Sequence, residues 1–214
     1  MNSIGFLFDL DGVLIDSERE YTRIWENIEK KFPTGKENFA HSIKGQTLTK
    51  ILNENYSSNE IRRDVTDELH RLESLMTYSY CLGAEELLNS LQECNGNTAV
   101  VTSSDEMKMN HLYDDIPDFR EKIKIIIDAS MVSKSKPDPE GYEKAAQALK
   151  LDIRKCAVFE DSVQGVKAGQ ASGAYVVGIT GTKSRDELFP YSDVVVDSLD
   201  EIDLITITDL LKQR

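Results

Sequence analysis

The spacing of apolar and polar positions follows two different patterns along this chain. Residues 4–8 form a short apolar run that stops at a polar turn, as is typical of a buried strand. From about Asp16 to Leu82, apolar residues recur only at helical spacing. There, Ser57 lies three residues before Glu60 in a capping-box pattern. This stretch predicts three helices, at 17–32, 47–55 and 57–76.

Beyond residue 83 the pattern changes, and apolar runs of strand length alternate with helical segments. Strands are predicted at 98–102, 123–127, 156–159, 174–179 and 194–196, and the helices among them at 84–91, 105–113, 139–149 and 162–171. The last helical segment ends at Gly173, and Asp138 is predicted to cap the helix that begins with Pro139. Such alternation predicts an α/β fold with a doubly wound parallel sheet. The core then comprises 1–15 and 83–214, and 16–82 is an all-helical insertion.

Composition narrows the partners that the protein can bind. The 214 residues include 38 acidic and 25 basic side chains, for a formal charge of −13. A surface this acidic repels nucleic acid and anionic membranes, so neither is expected as a partner. No apolar run reaches membrane-spanning length, and the N-terminus lacks a basic stretch before an apolar one. We therefore expect a soluble, cytoplasmic protein, with a monomer as the default.

Polar residues follow three of the predicted core strands, at the point where each strand ends. Asp9 and Asp11 follow the first strand, Thr102-Ser103-Ser104 the second, and Glu160-Asp161-Ser162 a later one. Lys136 precedes a proline that disfavours helix and holds the lysine in extended chain. Any one acidic cluster alone is equally well explained as a helix N-cap. Because the carboxyl ends of parallel strands share one edge, the whole set is expected to converge on one site.

These residue types suit phosphoryl chemistry around a metal ion. Asp9, Asp161 and Glu160 offer the hard oxygen ligands that Mg²⁺ prefers. Thr102 and Lys136 supply a hydrogen-bond donor and positive charge for phosphate oxygens. A carboxylate can attack phosphorus to form an aspartyl-phosphate, and a second acid nearby can protonate the leaving oxygen and then activate water.

Four motifs in order resemble those of the haloacid dehalogenase superfamily. They are Asp-Leu-Asp-Gly-Val at 9–13, Val-Val-Thr-Ser-Ser at 100–104, Lys-Pro-Asp-Pro at 136–139 and Phe-Glu-Asp-Ser-Val-Gln-Gly-Val-Lys-Ala-Gly at 159–169. The resemblance covers essentially the whole chain. Within the superfamily, the chain resembles the phosphatase and β-phosphoglucomutase-like branch. It implies a Rossmann-like core, with the insertion 16–82 as a helical cap domain that closes over the site and shapes substrate choice.

The resemblance also implies a role for each motif residue. Asp9 is the expected nucleophile, and Asp11 is the expected general acid and base. Thr102 and Lys136 are expected to hold the phosphoryl group. The dehalogenases that name the superfamily lack an aspartate at the position of Asp11, so carbon–halogen cleavage is not expected.

The metal site implied by the resemblance holds Mg²⁺ as its cofactor. Its expected ligands are Asp9, the backbone carbonyl of Asp11 and Asp161. Glu160 is expected to bind the ion directly or through water, and both arrangements remain open.

Candidate substrate-binding residues are Ser103 in the core and Ser17, Tyr21, Lys44 and Gly45 in the insertion. Each has an ordinary structural alternative. Ser17 can cap the first helix of the insertion, Lys44 can be a solvated loop lysine, and Gly45 can serve as a turn residue.

The favoured function is a Mg²⁺-dependent phosphomonoesterase that hydrolyses a small phosphorylated metabolite, such as a sugar phosphate, through an aspartyl-phosphate. One alternative is a β-phosphoglucomutase-like mutase. Such mutases resemble one another in a histidine and a cap arginine, where this chain has Tyr21 and Leu48. A non-enzymatic alternative is a phosphorelay receiver, although receivers need neither an acid like Asp11 nor a helical insertion.

Overall fold

The structure is a computed structural model that describes residues 3–43 and 46–214. The chain divides into two compact units. One is formed by the residues up to Asp16 together with Ser79–Arg214, and the other is Ser17–Tyr78. The second unit lies inside the predicted insertion 16–82. Its role as a substrate-closing cap stays a prediction.

A six-stranded sheet forms the centre of the first unit, and every neighbouring pair of its strands is parallel. The spatial order is β3-β2-β1-β4-β5-β6, which is a common order of doubly wound sheets. The predicted α/β architecture is therefore confirmed. The strands are β1 (Gly5–Phe8), β2 (Asn97–Val101), β3 (Ile125–Ile127), β4 (Cys156–Glu160), β5 (Tyr175–Ile179) and β6 (Val194–Val196).

Within the described part of the chain, the second unit contains four α-helices and the first contains seven. In the second unit they are α1 (Glu18–Lys31), α2 (Phe39–Ser42), α3 (Leu48–Asn55) and α4 (Asn59–Glu73). In the first they are α5 (Ala84–Glu93), α6 (Glu106–Asp115), α7 (Phe119–Lys122), α8 (Glu140–Ala148), α9 (Val163–Ser172), α10 (Arg185–Leu188) and α11 (Leu204–Gln213).

Two predicted helix caps differ from those observed. Helix α4 is capped by Ser58, whose hydroxyl accepts the Ile61 N–H at 3.1 Å, so the prediction of Ser57 was wrong by one residue. Helix α8 has Pro139 at its N-cap rather than as its first helical residue. Asp138 still accepts the Glu140 N–H at 3.1 Å, and it therefore supports the start of α8 from one position further out.

The sheet has an apolar layer on each face, and the two layers hold β1 in its central place. On one face Leu7 packs with Val158 and with Ala145 of α8. On the other, the rings of Phe8 and Phe159 stack with centroids 4.6 Å apart. Because β1 and β4 are locked together in this way, the polar residues that follow them are held at a defined separation.

The second unit has its own aromatic centre. Ile24, Trp25 and Ile28 are buried along one face of α1, as their helical spacing predicts. The Trp25 ring meets the Phe39 ring edge to face at 6.0 Å, and Phe39 meets Tyr56 in the same way at 6.4 Å. Trp25 is therefore a packing residue of this unit.

Candidate active site

The polar strand ends meet at the carboxyl edge of the sheet, beside its central strands. Asp9 directly follows β1, and its N–H donates to the Phe159 carbonyl at 2.9 Å. Glu160 is the last residue of the adjacent β4, and Asp161 follows it. The sheet reverses its winding direction between β1 and β4, and this crevice is where doubly wound sheets bind ligands.

Three carboxylates come together at this point. One oxygen each from Asp9, Glu160 and Asp161 lies within 4.8 Å of the others. The close approach of Asp161 requires a glycine at position 12. A Cβ built there would lie 2.1 Å from Asp161 Oδ2, and Gly12 also has φ +79°.

Lys136 supplies a positive charge inside this cluster. Its Nζ forms short ion pairs with Asp9 Oδ1 and, at 2.6 Å, with Glu160 Oε1. The same nitrogen donates to the Val101 carbonyl at 3.1 Å, which ties the lysine to the end of β2. Lys136 therefore bridges the three central strands at their carboxyl ends.

Glu160 is fully buried, and several donors surround its carboxylate. Tyr142 donates its hydroxyl to Oε1 at 2.6 Å, in addition to the bond from Lys136. Ser162 donates to Oε2 through its hydroxyl at 3.0 Å and through its backbone N–H at 3.3 Å. A Cβ on Gly165 would lie 1.8 Å from the Glu160 carboxyl carbon, so only glycine leaves room for this side chain.

The electrostatics of the cluster favour a bound cation. Burial raises the pKa of Asp9 to about 7, with Lys136 opposing the rise and the charges of Glu160 and Asp11 adding to it. Burial alone would lower the pKa of Lys136, but the carboxylates of Asp9 and Glu160 hold it above its usual value. A further cation would remove the repulsion among the acids.

Asp11 does not belong to the three-carboxylate group, although it lies two residues from Asp9. Its Oδ1 accepts from Lys108 Nζ at 2.5 Å, and its Oδ2 accepts from the Ser104 hydroxyl at 3.0 Å. Ser104 also donates its N–H to the Thr102 hydroxyl at 3.0 Å. The structure thus places Asp11 and Thr102 in one network with two residues that were not predicted.

The missed residues differ in how much signal the sequence carries for them. Lys108 stands four residues before Leu112, on the buried face of α6, and a lysine at such a position indicates a buried charge with a partner. Ser104 belongs to a predicted cluster but was not singled out. Tyr142 lies on the buried, apolar face of α8, so the sequence does not indicate its contact with Glu160.

The predicted substrate-binding residues are distributed over both units. Ser103 is exposed beside the buried Thr102. Ser17 is buried and occupies the N-cap position of α1, but its side chain makes no cap hydrogen bond, so the capping alternative does not hold. Tyr21 donates its hydroxyl to Glu73 Oε1 at 2.8 Å within the second unit. Lys44 and Gly45 lie outside the described residues.

The donor set fits a hard divalent cation. The two networks contain four carboxyl groups (Asp9, Asp11, Glu160 and Asp161) and two lysines (Lys136 and Lys108), so the fully ionised site has two negative charges in excess. Carboxylate oxygens without histidine or cysteine suit Mg²⁺ or a similar ion. Within residues 3–43 and 46–214, no helix has the length and apolar character needed to cross a bilayer.

The fold and the site define a class of protein. It is a doubly wound α/β protein with a carboxylate–lysine centre in the crevice between β1 and β4. A family model described as haloacid dehalogenase-like hydrolase matches residues 6–179. The chain belongs to this family. The predicted superfamily, and with it the expectation of an enzyme, are thereby confirmed.

Named relatives place the chain more narrowly. Hexitol phosphatase A of Escherichia coli is 30% identical over 210 residues, covering 94% of each chain. The 2-deoxyglucose-6-phosphate phosphatase 2 of Saccharomyces cerevisiae is 29% identical over 224 residues, covering 93% of this chain and 89% of the yeast protein. A solved β-phosphoglucomutase from Clostridium difficile shares the fold, with a TM-score of 0.79 at 24% identity over 99% of this chain and 98% of that one. The relatives confirm the expected class, a phosphatase.

Proposed function

We propose that the protein is a Mg²⁺-dependent phosphomonoesterase that hydrolyses a small phosphorylated metabolite through an aspartyl-phosphate on Asp9. The observation that carries this proposal is the placement of Asp9. Its carboxylate stands at the end of the central strand, paired with Lys136 and grouped with Glu160 and Asp161. This arrangement joins a nucleophile, a phosphate-binding cation and a set of metal ligands at one point.

The reaction takes two displacements. An Asp9 oxygen attacks phosphorus while the bond to the leaving oxygen breaks, and the Asp11 carboxyl gives its proton to that oxygen. Water then attacks the aspartyl-phosphate, Asp11 takes a proton from it, and Asp9 is released with inorganic phosphate. Lys136 and the Thr102 hydroxyl hold phosphoryl oxygens through both steps.

Asp9, Asp161 and the Asp11 backbone carbonyl are the proposed Mg²⁺ ligands. The bound ion would neutralise charge that develops on the phosphoryl oxygens. Glu160 already accepts from Lys136, Tyr142 and Ser162. We therefore assign Glu160 first to holding Lys136, with any contact to the ion made through water.

The proposed substrate class is a polyol or sugar phosphate. Its support comes from the two relatives, which are named for hexitol and 2-deoxyglucose-6-phosphate phosphatase activities. The membership in a hydrolase family favours turnover over the receiver alternative. A mutase would need a group that binds a second phosphate. Tyr21 stands where the mutases have a histidine, and its hydroxyl donates to Glu73 in this structure.

A phosphate-release screen tests the proposal. The purified protein is incubated with hexitol phosphates, hexose phosphates and other monoesters in Mg²⁺ or in EDTA. We expect metal-dependent release of inorganic phosphate, and its loss in Asp9→Asn. Asp209→Asn, at a 58% exposed side chain of α11, is the matched control and retains activity. Acid-quenched wild-type enzyme should carry one added phosphoryl group by intact mass.

Two outcomes would contradict the proposal. Undiminished phosphate release by Asp9→Asn would remove Asp9 as the nucleophile. An isomerised sugar phosphate without free phosphate, dependent on a bisphosphate activator, would instead identify the mutase.

A further inference from the structure

Lys108 is a buried lysine aimed at the side chain of Asp11. Its side chain is 8% exposed, and its Nζ lies 2.5 Å from Asp11 Oδ1. The Ser104 hydroxyl donates to the other carboxylate oxygen at 3.0 Å. Both oxygens of Asp11 are thus held by residues from one segment, the loop after β2 and the first turn of α6.

The position of Lys108 is unfavourable for a lysine on two grounds. It is the third residue of α6, whose start is set by the Asp105 side chain accepting the Lys108 N–H at 2.9 Å. The first turn of a helix disfavours a cation, because the helix dipole is positive there. Burial of the charged side chain, which is only 8% exposed, adds a desolvation cost. The pair with Asp11 offsets both costs.

The two lysines of the site form ion pairs with different carboxylates. Lys136 pairs with Asp9 and Glu160, whereas Lys108 pairs with Asp11, 97 residues away in the sequence. Asp11 and Asp9 are therefore held by different cations, although they lie only two residues apart.

We propose that Lys108, assisted by Ser104, is a positioning residue that orients the Asp11 carboxyl for proton transfer to the leaving oxygen and from the attacking water. The inference rests on the proposed function of Asp11. As the phosphorus–oxygen bond breaks, the Asp11 proton passes to the departing alkoxide oxygen, and Asp11 becomes a carboxylate. Lys108 and Ser104 hold this carboxylate in place until it takes the proton of the attacking water.

The test compares leaving groups. An alkoxide is a poor leaving group that needs the proton, while p-nitrophenolate leaves without one. For Lys108→Met we expect kcat on the best alkyl monoester of the screen to fall roughly 10- to 100-fold, near the lower end of what a positioned acid contributes. The rate of aspartyl-phosphate formation from p-nitrophenyl phosphate should change less than about threefold, with KM little changed, because that step does not draw on Asp11.

A double variant shows whether Lys108 acts through Asp11. Asp11→Asn should show the same alkyl-against-aryl selectivity, and Lys108→Met should add little to it. Lys108→Arg, which keeps the charge, should recover part of the alkyl activity. The matched control is Lys212→Met, since Lys212 is ion-paired with Asp209 at 3.2 Å but 56% exposed. It should leave both activities unchanged.

Several outcomes would overturn the inference and leave the proposed function standing. Equal losses on alkyl and aryl substrates, unchanged rates, or fully additive losses in the Asp11→Asn background would each show that Lys108 does not act through Asp11. Should Lys108→Met fail to fold, Ser104→Ala removes the other contact and must show the same leaving-group selectivity. If Asp11→Asn lowered the rates on alkyl and aryl substrates equally, that result would instead contradict the proposed role of Asp11.

Discussion

At the scale of single residues, Gly12 shows how closely the backbone of the first motif approaches the metal-ligand candidates. It combines φ +79° with a space in which a Cβ would meet Asp161 Oδ2 at 2.1 Å. Gly35 has a similar φ of +74°, but nothing lies within 4 Å of its Cβ position. The two glycines therefore separate the cost of backbone conformation from the cost of displacing a carboxylate.

We predict that Gly12→Ala loses most of its Mg²⁺-dependent activity, since Asp161 has to move. Gly35→Ala should cost only the backbone term, about 1–2 kcal/mol of unfolding free energy, with activity retained. Phosphate release at varied Mg²⁺ and thermal unfolding measure both effects. Equal activity losses in the two variants would show that the contact with Asp161 is unimportant.

The residues of the site could be predicted from the sequence where they belong to a motif or follow a strand. Asp9, Lys136, Glu160 and Asp161 were chosen from the sequence, and the structure brings their side chains together. The partners of those residues were not. Contacts such as Tyr142 with Glu160 depend on how α8 packs on the sheet, and no local pattern encodes that.

At the scale of elements, the N-cap residue of α9 is also part of the site. Its N-cap Ser162 accepts the Gly165 N–H at 3.0 Å and donates its hydroxyl to Glu160 Oε2 at 3.0 Å. The same hydroxyl thus begins the helix and orients the carboxylate that holds Lys136. Ser58 caps α4 in the same way, accepting the Ile61 N–H at 3.1 Å in the other unit.

We predict that Ser162→Ala and Ser58→Ala lower stability alike, by about 1 kcal/mol each, as the loss of a serine N-cap does. Only Ser162→Ala should also lower kcat, because Glu160 loses a donor and Lys136 is less firmly held. Denaturant unfolding and phosphate release are the measurements. A loss of activity in Ser58→Ala of the same size would show that capping, and not the contact with Glu160, controls the rate.

The elements that periodicity predicted are those long enough to show a period. Four-residue helices such as α2, α7 and α10 span about one turn, so no repeat is available to indicate them. Helix α11 is a different case. Its buried Ile207 and Leu211 have helical spacing, so the sequence did carry a signal that the prediction did not use.

At the scale of the whole molecule, the acidic cluster links stability to pH and to metal. The folded pKa of Asp9, about 7, lies above its ordinary value of 3.8, so the folded state binds the proton more tightly than the unfolded state. The stability that this proton contributes is present below about pH 4 and is lost as the pH rises through about 7. A cation bound to the cluster would replace the proton and offset this loss.

We predict that, in EDTA, Asp9→Asn becomes more stable relative to the wild type as the pH rises from 4 to 8. Adding Mg²⁺ at pH 8 should raise the unfolding temperature of the wild type but leave that of Asp9→Asn little changed, because binding to the folded state alone stabilises it. Thermal unfolding at matched ionic strength measures both. A parallel pH dependence of the two proteins would contradict the raised pKa of Asp9.

The sequence by itself determined the α/β class and the polar strand ends, because period, strand length and turn residues are local properties. Only the tertiary structure decided which charges pair. Lys136 bridges Asp9 and Glu160, and Lys108 reaches Asp11 across 97 residues. Those pairings depend on the order of the strands and on the face that α6 presents. The physical reason is that burial makes an unpaired charge costly, and only the packed chain determines which opposite charge lies within reach.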